Sequence, residues 1–159
     1  MNPIASLSNG DIGISTGWTV SNFQISGNAA VPTGSGTCQL YQDARYVDGV
    51  ARMTVQAWDT ATASRQQWLV FRRAWDSQSG AHNGWRFGWD STGVWKLQSS
   101  TAGSFSSISG KNTVSTGTLV PTAGDVLEVE LKGAVIICRV NGNVVYTHES
   151  SYLQGATIV

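Results

Sequence analysis

Val126 to Lys132 reads VLEVELK, with Leu127, Val129 and Leu131 on one face and Glu128, Glu130 and Lys132 on the other. Successive side chains of a strand point to opposite sides, so this alternation marks a half-buried antiparallel strand and not a helix. Val135 to Val140 and Val144 to His148 follow, joined by Asn141, Gly142 and Asn143. Asn-Gly between apolar runs is the strongest short-range hairpin signal, because a tight turn of the required hand needs residues that tolerate positive φ. The last third of the chain is therefore a β-meander.

Upstream, the same reading places strands near Trp18 to Ile25, Cys38 to Gln42, Val50 to Trp58, Gln67 to Trp75, Trp85 to Trp89 and Val94 to Gln98. Clusters of Gly, Ser, Thr, Asn and Asp separate them. Ala61 to Val70 lacks an amphipathic stripe and reads as loop followed by strand. Ser99 to Thr118, rich in Ser, Thr and Gly, is expected to hold a short edge strand and an irregular connection. Nine or more short strands without a helix predict an all-β, two-sheet antiparallel sandwich or a barrel.

Composition agrees. The 159 residues include 19 Ser, 15 Thr and 18 Gly, a turn-rich and β-branched mixture that excludes a helical bundle. Ten basic residues balance ten acidic ones, so nothing points to nucleic acid as a partner. No apolar run is long enough for membrane insertion, and MNPIASLSNGDIG lacks the basic start and apolar run of a signal peptide. Cys38 and Cys138 are too far apart for a metal or redox spacing; they read as buried thiols, with a disulfide as the alternative.

Five segments carry a resemblance to a known superfamily: GWTVSNFQISGNAAV (Gly17 to Val31), the strand after Asp48-Gly49, LVFRR (Leu69 to Arg73), GWRFGWDSTGVWKL (Gly84 to Leu97) and GDVLEVELKGAVIICRVNGNVVY (Gly124 to Tyr146). Together they resemble the concanavalin A-like lectin/glucanase jelly rolls, also seen as laminin-G-like domains. The resemblance implies an N-terminal arm over residues 1–16 and a jelly-roll β-sandwich over 17–159. It also implies one further closing strand after Leu153 to Val159, supplied by another chain or by a longer protein. Similar domains occur in glycan-binding proteins, polysaccharide hydrolases and bacteriophage tail and virion surface proteins. The implied setting is thus a virion surface, with carbohydrate, other virion proteins or further copies of the chain as partners in a larger assembly.

Catalytic arrangements are not met. Glycoside hydrolysis needs two carboxylates flanking the bond, and Glu128 and Glu130 are the tempting pair. The glucanase relatives carry Glu-x-Asp-x-x-Glu where this strand has Glu-Val-Glu-Leu-Lys, so both read as solvated carboxylates balanced by Lys132. His82 and His148 have no Gly-x-Ser-x-Gly elbow to work with. Some relatives hold Ca²⁺, but Asp43, Asp48, Asp59, Asp76, Asp90 and Asp125 form no dense ligand string and read as turn caps, so no cofactor is expected.

The seven Trp residues remain. Alternation over Val50 to Trp58 puts Ala51, Met53, Val55 and Ala57 inward and Arg52, Thr54, Gln56 and Trp58 outward. In Gln67 to Trp75 it puts Leu69 and Phe71 inward and Trp68, Val70 and Arg72 outward, with Arg73 and Trp75 at the strand end or rim. An aromatic ring beside Arg and Gln suits sugar recognition, the ring stacking on the apolar face of a pyranose while polar groups bind its hydroxyls. Arg52, Gln56, Trp58, Trp68, Arg72 and Trp75 are therefore the candidate ligand-binding residues. Trp18, Trp85 and Trp89 read as core, and whether Trp95 and Leu97 join Trp85, Phe87 and Trp89 depends on turn length. The expected function is a non-catalytic surface module that binds host-surface carbohydrate. A structural or capsid-decoration subunit is the second reading and a polysaccharide hydrolase the third.

Overall fold

The computed structural model describes residues 18–21, 23–26, 29–32, 39–42, 47–55, 67–89, 94–108 and 122–156, the first four segments by backbone alone. Contacts divide the chain into two units, one within residues 1–45 with 158–159 and one within residues 46–157. The first holds β1 (Trp18–Ser21), β2 (Phe23–Ser26), β3 (Ala29–Pro32) and β4 (Gln39–Gln42). These form two antiparallel pairs, β1 with β4 and β2 with β3. The run Trp18 to Ile25, expected as one strand, is thus divided between two partners. Within the second pair Ser26 is the cross-strand partner of Ala29.

The second unit is an antiparallel β-sandwich. One sheet has the order β12–β11–β10–β5, from β5 (Gly49–Thr54), β10 (Val126–Lys132), β11 (Val135–Val140) and β12 (Asn143–Glu149). The other has the order β6–β7–β8–β9, from β6 (Gln67–Asp76), β7 (Ala81–Trp89), β8 (Trp95–Thr101) and β9 (Ser104–Ser107). In β10 the burial alternates as its sequence does, with Leu127, Val129 and Leu131 buried. The β11–β12 hairpin closes on Asn141 (φ 50°) and Gly142 (φ 80°), with Val140 paired to Asn143. Two successive positive φ values define the mirror-image turn whose twist matches its strands. The edge strand expected in the Ser/Thr-rich stretch is β9.

The core lies between the sheets. From one come Leu127, Val129, Ile136, Cys138, Val140 and Tyr146, and from the other Phe71, Trp85, Phe87, Trp89, Trp95 and Leu97. Trp85 and Trp89 are core as expected, and the register pairs Trp89 with Trp95 and Phe87 with Leu97, so both disputed residues join that face. Phe87 meets Tyr146 edge-on across the sandwich at 6.0 Å, and the Tyr146 hydroxyl donates to the Trp95 carbonyl at 3.0 Å. Cys138 is fully buried. Cys38, the side chain of Trp18 and Asp43, Asp59 and Asp90 lie outside the described residues.

Candidate functional site

With Leu69, Phe71, Trp85, Phe87, Trp89, Trp95 and Leu97 turned to the core, the alternate residues of the β6–β9 sheet form its outer face. The register sets Trp68 beside Gly88 and Lys96 in one row, and Val70 beside Arg86, Gln98 and Ser107 in the next. A Cβ on Gly88 would overlap the backbone carbonyl of Gln67, so that position admits only glycine and leaves Trp68 beside bare backbone.

Arg86 reaches across this face. Its Nε donates to Gln98 Oε1 at 2.6 Å, and Gln98 Nε2 in turn donates to Ser107 Oγ at 3.0 Å. Its guanidinium carbon lies 4.0 Å from the centre of the Trp68 ring and 4.1 Å from that of Phe105. The negative faces of aromatic rings attract a cation while excluding water from it. Burial pushes the Arg86 pKa down to about 10, which leaves the side chain cationic at neutral pH.

Farther along the same strands, β6 is bulged. Phe71 pairs with Trp85 but the next pair is Ala74 with Asn83, so β6 spends one residue more than β7 between them. One extra residue reverses the alternation. Trp75, which would follow Leu69 and Phe71 toward the core, turns outward with His82 as its cross-strand partner. Its ring is 59% exposed and meets the His82 ring edge-on at 4.9 Å. Burial, and then the nearby Arg73, lower the His82 pKa, so the imidazole is neutral at neutral pH. Beneath Trp75 the hairpin tip is fixed by Asp76, which accepts hydrogen bonds from Gln78 N–H (3.0 Å) and Ser79 Oγ (2.7 Å). Asp76 is thus a turn cap, as its position at a strand end implies.

The six candidate residues do not form one cluster. Trp68 and Trp75 share the outer face of the β6–β9 sheet. Arg52 is exposed, but on the outer face of the other sheet, where it is bonded to Glu128. Gln56 and Trp58 lie outside the described residues. Arg72, expected outward, is fully buried: it sits in the bulge with φ 49°, its Nη2 donates to the Gly133 carbonyl, and Asp48 lies 3.9 Å away. The left-handed backbone at the bulge turns its side chain to the interior, which simple alternation cannot anticipate. Arg86, Gln98 and Phe105 were missed, although GWRFGW already sets Arg86 opposite the core faces of Trp85 and Phe87.

Glu128 and Glu130 lie on the outward face of β10, but they are held in place more than solvated. Their side chains are 15% and 16% exposed, bonded to Arg139 Nη1 (3.0 Å) and Nη2 (2.7 Å), with Arg52 on Glu128 and Lys132 on Glu130. Lys132 and then Arg139 hold the Glu130 carboxyl below its usual range, unsuited to a general acid.

No family model matches the chain, and no curated protein matches it. Among solved structures it is similar to a carbohydrate-binding module, CBM66, from Bacillus subtilis, with a TM-score of 0.63 over 90% of this chain and 83% of that one. The two are 16% identical, so the likeness is one of fold: a β-sandwich.

Proposed function

We propose that this chain is a non-catalytic carbohydrate-binding module, acting without metal or cofactor, whose binding surface is the outer face of the β6–β9 sheet. The observation that carries the reading is Trp75, a large aromatic ring 59% exposed on the face that also bears Trp68 and Arg86. An exposed ring with polar groups nearby is a platform for the apolar face of a sugar. The similar solved structure is itself named as a carbohydrate-binding module. Trp75→Ala tests the proposal. Because the ring is largely exposed, the unfolding free energy should change by less than about 1 kcal/mol. Affinity for the recognised polysaccharide, measured by affinity electrophoresis over a glycan panel, should fall about tenfold or more. Unchanged affinity in a normally folded variant would remove Trp75 from the site.

The setting we propose is the surface of a bacteriophage virion, a reading supported by the resemblance of the Gly84 to Leu97 and Gly124 to Tyr146 segments to modules of such proteins. The assembly reading also has an observation behind it. Val50 on β5 and Val144 on β12 are exposed on the two outermost strands of one sheet, where a neighbouring subunit would cover them. Loss of virion incorporation in a Val50→Ser, Val144→Ser variant with intact glycan binding would separate the two roles.

A further inference from the structure

Arg86 is a half-buried cation with no anion beside it among the described residues. Its Nε is committed to Gln98, while among the described residues its two terminal nitrogens have neither a hydrogen-bond acceptor nor a carboxylate. The other sheet treats its arginines differently: Arg52 and Arg139 are neutralised by Glu128 and Glu130. The rows that surround Arg86 on its own face contain Trp68, Val70, Gly88, Lys96, Gln98 and Ser107, and no Asp or Glu. The aromatic rings attract the cation but bring no net charge to offset it. Charges withdrawn from water are normally paired, so the absence of a partner among the described residues is a feature to be explained.

The geometry points to a ligand: we propose that Arg86 binds a carboxylate and that the chain recognises an acidic glycan carrying uronate or sialate groups. This deepens the carbohydrate reading and rests on it. Three features favour a carboxylate over a hydroxyl. The Gln98 bond and the two rings fix the plane of the guanidinium, and its two remaining N–H edges match the two oxygens of a carboxylate as a fork. Rings that exclude water strengthen an ion pair formed there. Among the described residues, the rows around Arg86 hold no acid to repel a carboxylate. Trp75 lies on the same face, with its partner His82 four residues before Arg86 along β7, about 13 Å at the ~3.3 Å rise of a strand. One glycan chain can therefore stack on Trp75 and present an acid to Arg86. A phosphate backbone would need several cations along its path, whereas this chain has no net charge.

The test uses the full chain and calorimetry with oligogalacturonate, oligomannuronate and oligosialate, each beside its carboxyl-reduced counterpart, with dextran sulfate as a charge control. The expected result is binding of at least one acidic oligomer and a loss of about tenfold or more on carboxyl reduction. Arg86→Lys should lose a comparable factor, because it keeps the charge and discards the fork. Trp75→Ala should weaken the acidic and the reduced ligand alike. If a glycan binds in a Trp75-dependent way but is indifferent both to carboxyl reduction and to Arg86→Lys, the carboxylate assignment is overturned and the carbohydrate reading stands. Binding of no glycan, acidic or neutral, overturns both. Dextran sulfate binding as tightly as the best uronate or sialate oligomer overturns the selectivity for carboxylate. Should Arg86→Lys fail to fold, carboxyl reduction of the ligand decides the matter with the protein unaltered.

Discussion

Gly88 and Gly142 are both indispensable, for different physical reasons. At Gly88 a Cβ would meet the Gln67 backbone carbonyl, which cannot retreat without breaking the β6–β7 ladder. Gly88→Ala should therefore destabilise the fold by about 3 kcal/mol or more, the upper end of overpacking costs. At Gly142 nothing lies within 4 Å of the added atom, and only the backbone, at φ 80°, resists a side chain. Gly142→Val should cost about 1 kcal/mol or more, since a β-branched residue fits that region poorly. Urea denaturation of the two variants distinguishes the causes: Gly142→Asn should recover most of the loss at the turn, because Asn tolerates positive φ, whereas Gly88→Asn should fare no better than Ala. The turn glycine was legible from Asn-Gly between two apolar runs. The close approach at Gly88 was not, because it depends on which strand lies alongside.

At the scale of elements, what was legible followed from period and what was hidden followed from register. The alternation of VLEVELK correctly turned Glu128 and Glu130 outward, but it could not show that Arg139 of β11 and Arg52 of β5 flank them. Likewise Leu69, Phe71, Trp68 and Val70 took their expected faces, and the reading failed at Arg72, where one extra residue enters β6. Such a bulge leaves little trace in a single sequence, since Arg72 is neither Gly nor Asn, the residues that usually betray a left-handed backbone. The ion-paired ladder makes its own prediction. Because Lys132 and Arg139 depress the Glu130 pKa, their contribution to stability is present above the ordinary glutamate range and is lost as pH falls through the lower folded value. Glu128→Gln with Glu130→Gln should thus lower the melting temperature at neutral pH, and the gap from the parent should narrow as pH falls below the ordinary glutamate range and Glu130 of the parent takes up its proton. Glycan affinity should be unaffected, because the ladder lies on the other sheet. A fall in affinity without a fall in stability would move the binding face to β5, β10 and β11.

For the whole sandwich, apolar filling is joined by polar pins that hold one sheet over the other. The Tyr146 hydroxyl on β12 donates to the Trp95 carbonyl at the start of β8, the Trp85 indole donates to the Tyr152 carbonyl at 3.0 Å, and the Tyr152 hydroxyl donates to the Ser100 carbonyl at 2.6 Å. Such bonds contribute about 1 kcal/mol each, less than the buried rings, but they fix which residue faces which. Tyr146 also ties the joined sheets to pH. Burial, and then the neighbouring Cys138, push its pKa up to about 12, above the value of about 10 for an unfolded chain. The neutral phenol is favoured in the folded state, so its contribution is complete below pH ~10 and is lost as pH rises toward ~12. Tyr146→Phe keeps the ring against Phe87 and removes the hydroxyl, leaving the Trp95 carbonyl without that donor. At neutral pH the variant should be less stable by about 1 kcal/mol. Above pH ~10 the parent loses what the variant never had, and the two unfolding curves should converge. Denaturant titrations at neutral pH and at pH ~11 measure this directly. A difference that stays constant across that interval would mean that the Tyr146 hydroxyl ionises as readily in the folded protein as in the unfolded chain, and that the sheets are not pinned through it.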